Sequence, residues 1–108
     1  MMRPNNIMRV EISADNDATA DQVDQLSRFY LVGLEESVDS ISVVVDEQRD
    51  TLGKPLLRCR VVGRLSHGEP LEVVVTQADA VLAITRALDR TVRTLRRRGT
   101  LSRLARSV

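Results

Sequence analysis

Four arginines, Arg86, Arg90, Arg93 and Arg97, stand 4, 3 and 4 residues apart, a spacing that sets one side chain per turn on a single helix face. A guanidinium is permanently charged and offers a planar fork of donors, so a row of them suits phosphate groups along a polyanion. Val81, Ile84, Leu88, Val92 and Leu95 follow the same period and fall nearly opposite. The stretch Gln77 to Arg98 therefore reads as a helix held to a core on one side and cationic on the other. Solvated helix faces ordinarily mix signs to gain i,i+4 pairs, whereas Asp89 is the only acid after residue 80. Arg96, Arg98, Arg103 and Arg106 extend the positive charge toward the C-terminus.

A second cationic set, Arg58, Arg60 and Arg64, alternates along a strand with inward Leu57, Cys59 and Val61 and shares its outward face with Val44, Val62 and Val74. Two readings of that face stand side by side. The arginines add to a polyanion surface, or they pair across strands, as Arg64 with Glu72, and leave the valines as a modest protein contact, including a weak homodimer. Catalysis finds no comparable constellation. His67 is the only histidine and lies in a Gly-containing turn with no acid or nucleophile at a recognisable spacing. Cys59 points inward as a small hydrophobe. Asp15, Asp17, Asp21 and Asp24 lack the spacing and glycine of a calcium loop, and helix capping and solubility account for them. No glycine-rich phosphate loop follows a strand. The sequence thus points to a non-enzymatic protein with no catalytic residue, no metal and no cofactor.

Composition narrows the partner class. The 108 residues are enough for one small domain with a single two-layer core. Phe29 and Tyr30 are the only aromatics, which argues against RNA recognition by stacking bases on a row of rings. No apolar run approaches the roughly 18 residues that span a membrane, and there is no signal-peptide pattern. A lone cysteine excludes an internal disulfide, and a reducing cytoplasm is the natural compartment. The net charge of +1 conceals a polarity: residues 1–55 carry −6, residues 56–80 balance, and residues 81–108 carry +7. Such a dipole orients a molecule on a polyanion.

The elements that position these groups follow from periodicity. Residues 1–6 read as a frayed terminus, residues 7–98 as one domain, and residues 99–108 as a basic tail or short helix beyond a stop at Gly99. Ile7 to Ser13 alternates as a strand. Thr19 with Gln22 fits a capping box for a first helix reaching to about Glu36, with Val23, Leu26, Tyr30 and Leu34 buried, Phe29 marginal, and Leu31 and Val32 outward. Ile41 to Asp46 is a second strand, Glu47 to Pro55 a polar connection, Leu56 to Leu65 a third strand, and Leu71 to Val75 a fourth. Gly63 on the inward side leaves room for a bulge or a close approach. If Leu65 lies opposite Leu71, Arg64 faces Glu72. The order β-α-β-β-β-α assembles most economically as an α+β fold, a four-stranded mixed sheet with both helices on one face. A right-handed first crossover makes the first two strands parallel.

This order, with a last helix of the form Ala83-Ile84-x-x-Ala87-Leu88-x-Arg90-x-x-Arg93-x-Leu95-x-Arg97, resembles the ribosome hibernation promoting factor family. Relatives in that family include ribosome-associated inhibitor A and the sigma-54 modulation proteins. Leu57-Arg58-Cys59-Arg60-Val61 and Pro70-Leu71-Glu72-Val73-Val74-Val75 sit where the family has its third and fourth strands, and the resemblance covers about residues 7 to 98. It implies a double-stranded-RNA-binding-like fold that lodges on the small ribosomal subunit and inhibits translation by occupying the decoding channel during stress. By position, Arg90, Arg93 and Arg97 match basic residues that contact ribosomal RNA; Arg86 joins them by geometry alone. Two departures mark a short or divergent member. The first helix is acidic with Arg28 alone, and the long form's C-terminal dimerisation domain is missing. The competing expectation is a protein-interaction module on the same scaffold, using the open sheet face or the acidic first helix.

Overall fold

The computed structural model describes residues 9–32, 38–66 and 68–106, with side chains through Arg98. Expectations for Ile7, Met8, Gly33, Leu34 and His67, and for the side chains beyond Arg98, lie outside the described residues. Within them the order is β1 (Arg9–Ala14), α1 (Asp17–Tyr30), β2 (Val38–Arg49), β3 (Pro55–Leu65), β4 (Leu71–Gln77) and α2 (Ala80–Arg106). The strands form one sheet in the order β1-β2-β3-β4. β1 runs parallel to β2, and the other two pairs are antiparallel. The expected α+β architecture is the one observed.

Alternation places the core. Ile41, Val43 and Val45 from β2, Cys59 and Val61 from β3, and Leu71, Val73 and Val75 from β4 turn to one face and are buried. Both helices close that face: α1 packs on β1 and α2, and α2 packs on β3 and β4. From α2 come Ala83, Ile84, Ala87, Leu88, Val92 and Leu95. Each helix returns across the sheet from the strand before it, and β1 and β4 both run in the direction of β2, so the two helices lie parallel.

Several boundaries differ from the sequence expectation, each for a physical reason. Asn16 caps α1 rather than Thr19. It is extended, with φ −148° and ψ 163°, and its Oδ1 accepts from the Thr19 N–H at 2.8 Å, the bond an N-cap side chain supplies. The fully buried stripe of α1 is Val23, Ser27 and Leu31, four residues apart, with the expected Leu26 and Tyr30 partly buried against the core beside it. Ser27 is polar and so escapes a hydrophobicity count, and including it rotates the stripe toward Leu31 and leaves Val32 outside. α1 ends at Tyr30, and the Leu31 N–H closes the last turn on the Ser27 carbonyl at 2.9 Å.

The β2–β3 pair is longer than expected. β1 stops opposite Val45 and β4 opposite Leu57, and beyond them the ribbon continues to Arg49 opposite Pro55. Its polar residues meet solvent on both sides, which makes them look like loop in the sequence. Asp50 closes the ribbon, its Oδ1 accepting from Leu52 and Lys54 N–H groups at 2.8 Å each, with Gly53 at φ 80°. At the other hairpin Leu71 lies opposite Gly63, not Leu65, a two-residue shift that preserves both faces. Gly63 carries no bulge; the β2–β3 ladder has its irregularity between Val38 and Ser40. A Cβ on Gly63 would meet Ile41 and Leu71 at an ordinary 3.9 Å.

Gln77 is the last residue of β4 rather than the start of α2. Asp79 caps α2 instead, accepting from the Leu82 N–H at 3.2 Å. Nor does Gly99 stop α2, whose backbone stays helical to Arg106. At 27 residues α2 is about 40 Å long, against about 23 Å for a seven-residue strand. Its last turns therefore overrun the sheet, and the molecule extends 53 × 30 × 19 Å.

Candidate nucleic-acid interface on the last helix

Burial of Ile84, Leu88 and Val92 against the sheet fixes the rotation of α2 about its axis. The opposite face then has to carry Arg86, Arg90, Arg93 and Arg97, and all four are exposed. From Arg86 to Arg97 the axial rise is about 16 Å, one guanidinium per turn. Val81, placed on the buried stripe by sequence, is 39% exposed because it sits in the first turn. Its place is taken by Ala83, Ala87 and Thr91, all fully buried, which widen the packed face. Thr91 meets burial by donating its hydroxyl to the Ala87 carbonyl at 2.7 Å.

The four arginines are not equivalent. Arg93 pairs with Asp89 one turn back, Nε to Oδ2 at 2.9 Å. Arg86, Arg90 and Arg97 have no acidic partner among the described residues. The acids of α1 do not reach them: Asp24 holds Arg28 at 3.0 Å, and Asp17 and Asp21 make no ion pair among the described residues. Arg98 leaves the stripe altogether and donates to the Glu69 carbonyl at 2.8 Å, which ties α2, about two turns before its end, to the β3–β4 connection. Sequence spacing could not separate that anchor from its neighbours, because its partner is 29 residues away.

The sheet arginines behave differently. Arg58 holds Asp46 across the β2–β3 ladder, with Nη2 to Oδ2 at 3.0 Å. Arg60 holds Glu72 at 2.5 Å: the two-residue shift sets Val62 opposite Glu72, and Arg60, opposite Val74, reaches the carboxylate diagonally, so the partner expected for Arg64 goes to Arg60. Arg64 is exposed opposite Ser40. Two of the three sheet charges are thus neutralised where they stand, around the half-buried Val44 and Val62 and the 44% exposed Val74. On the covered face, burial pushes the Cys59 thiol up to about 12, leaving it protonated and inert at neutral pH.

The site is a rigid helix carrying an open cationic row, on a two-layer α+β scaffold. No family model matches the chain, and no curated protein matches it in sequence. Solved structures do share the scaffold. The chain is similar to the N-terminal domain of Protein Y from Thermus thermophilus, with a TM-score of 0.64 at 22% identity, over 84% of this chain and 98% of that one. It is also similar to a ribosomal subunit interface protein from Coxiella burnetii, with a TM-score of 0.67 at 7% identity, over 87% and 99%. At these identities the likeness establishes the fold. No helix among the described residues is long and apolar enough to cross a membrane.

Proposed function

We propose that the protein is a non-enzymatic, cytoplasmic ribosome-associated factor that binds small-subunit ribosomal RNA through the α2 stripe and inhibits translation by occupying the decoding channel. The observation that carries this reading is the run of Arg86, Arg90 and Arg97 on one exposed face without acidic partners among the described residues. Guanidiniums at successive turns meet phosphates along a backbone without reading bases, so occupancy is the whole mechanism. The Coxiella protein of the same fold is named for a ribosomal subunit interface, which supports the choice of ribosomal RNA among polyanions. Arg64 joins the contact only where RNA wraps to the sheet side; Arg58 and Arg60 contribute less, since each already holds a carboxylate. Arg90→Glu combined with Arg93→Glu abolishes cosedimentation with small subunits while the circular dichroism spectrum stays native, because both side chains point away from the core. Undiminished cosedimentation rejects the stripe.

One observation favours a second reading, a protein contact on the sheet face. Pairing of Arg58 with Asp46 and of Arg60 with Glu72 leaves Arg64 alone of the three arginines beside a surface centred on Val44, Val62 and Val74, which suits a protein better than a polyanion. Under that reading Val62→Asp abolishes association with the partner, a second copy included, and leaves ribosome binding unchanged. An association that survives the substitution excludes the face.

A further inference from the structure

The outer surface of the helical layer carries two opposite halves. The face of α1 turned from the buried Val23 carries Asp17 and Asp21, then Arg28, which Asp24 holds at 3.0 Å, and toward its C-terminal end Phe29 and Val32, which are 70% and 69% exposed. On α2, opposite the buried Leu88, lies the arginine stripe. The helices touch, yet among the described residues no ion pair joins them. Asp17 and Asp21 on one helix and Arg86, Arg90 and Arg97 on the other therefore face outward side by side, with no ion pair of their own among the described residues.

We propose that this layer is the interface of a reversible homodimer in which α1 of each copy lies on the arginine stripe of the other, so that self-association and polyanion binding exclude one another. The topology makes the match possible. Because α1 and α2 run parallel and begin at the same end of the sheet, a twofold axis along the helices brings each α1 onto the second copy's α2 in both directions, a closed pairing. The strand register sets Ala14 level with Val75, two residues short of Gln77, so Asp21 stands within about a turn of Arg86 and Arg90, and Phe29 comes level with Arg97, where a guanidinium can lie on a ring. A net charge of +1 offers little long-range repulsion to oppose the contact. Two helix faces give a footprint of roughly 500 Å² per copy, at the weak, transient end of specific interfaces. The same arginines serve both partners, so a polyanion of higher charge density displaces the second copy. The regulatory consequence rests on the polyanion reading above, but the dimer itself does not.

Sedimentation velocity on the full chain tests it. The wild type is expected to dimerise at about 10 mM salt, where the screening length is about 30 Å, and to be monomeric at about 1 M, where it is about 3 Å. Asp21→Arg and Arg90→Glu should each weaken association by at least about tenfold through like-charge contact, and the two together should restore it. Heparin should dissociate the wild-type dimer. Val62→Asp, on the other face of the sheet, should leave it intact. A monomer at every salt and concentration overturns the proposal, as does a dimer indifferent to either reversal or a double variant that stays monomeric. Asp21→Arg also separates the two readings: it should lose the dimer while retaining small-subunit binding, whereas failure of the polyanion reading shows as no subunit binding even by the wild type.

Discussion

Ser27 is the residue where the packing of α1 carries a cost. It is 2% exposed, and its Oγ has no hydrogen-bond partner among the described residues, although Thr85, Thr91 and Thr94 on the neighbouring helix all return their hydroxyls to a backbone carbonyl. A buried unsatisfied hydroxyl costs about 1–3 kcal/mol, and alanine is the better helix former. Ser27→Ala is therefore expected to stabilise the fold by about 1 kcal/mol, read as a higher midpoint in urea with an unchanged m-value. A fall of similar size shows that the hydroxyl is bonded in the native state. The same residue explains why the end of α1 was hard to read from sequence: a serine on the buried stripe conceals that Leu31, four residues on, belongs to it. Cys59 was legible, because alternation alone sets it between the inward Leu57 and Val61.

At the scale of elements, regular alternation and the α2 period were readable because burial acts on every second or every third and fourth residue. Registers and pairings were not, since they depend on partners distant in sequence. The two-residue shift that moves Glu72 from Arg64 to within diagonal reach of Arg60, and the ribbon hidden in polar Glu47 to Arg49, are cases of this. The pair within α2 is local and has a calculable consequence. Asp89 precedes Arg93 by four residues, the favourable order for a helix, and both side chains are largely solvent-accessible, at 44% and 75%. Its contribution to stability is therefore only about 0.3–0.5 kcal/mol. Its effect on binding is larger, because it holds one of four guanidiniums and sets a negative charge beside the row. Asp89→Asn is expected to leave the melting temperature nearly unchanged and to raise affinity for an RNA oligonucleotide several-fold. Unchanged or weakened affinity in filter binding means that Arg93 does not take part.

Over the whole molecule, charge is separated far more than the net value suggests, and that separation decides how binding responds to salt. If contact runs through Arg86, Arg90 and Arg97 alone, three phosphates are neutralised. Each released counterion contributes about −0.7 to −0.9 to the slope of log K against log salt, which gives a total of roughly −2 to −3. Between about 50 and 200 mM salt the affinity should then fall about 20- to 40-fold. Asp89→Asn should steepen the slope by about one contact as Arg93 becomes available, and Arg90→Glu should flatten it by at least as much. Titration of the wild type and both variants with one oligonucleotide at several salt concentrations measures all three slopes. A wild-type slope near zero rejects the arginine row, because a contact centred on the sheet valines releases few ions. A slope steeper than about −5 calls for more phosphates than the described stripe can hold and brings in the arginines beyond Arg98. The dipole also sets the approach: the acidic α1 side is repelled by the same phosphates that attract α2, so the molecule meets a nucleic acid along one edge of its helical layer, with α1 turned to solvent.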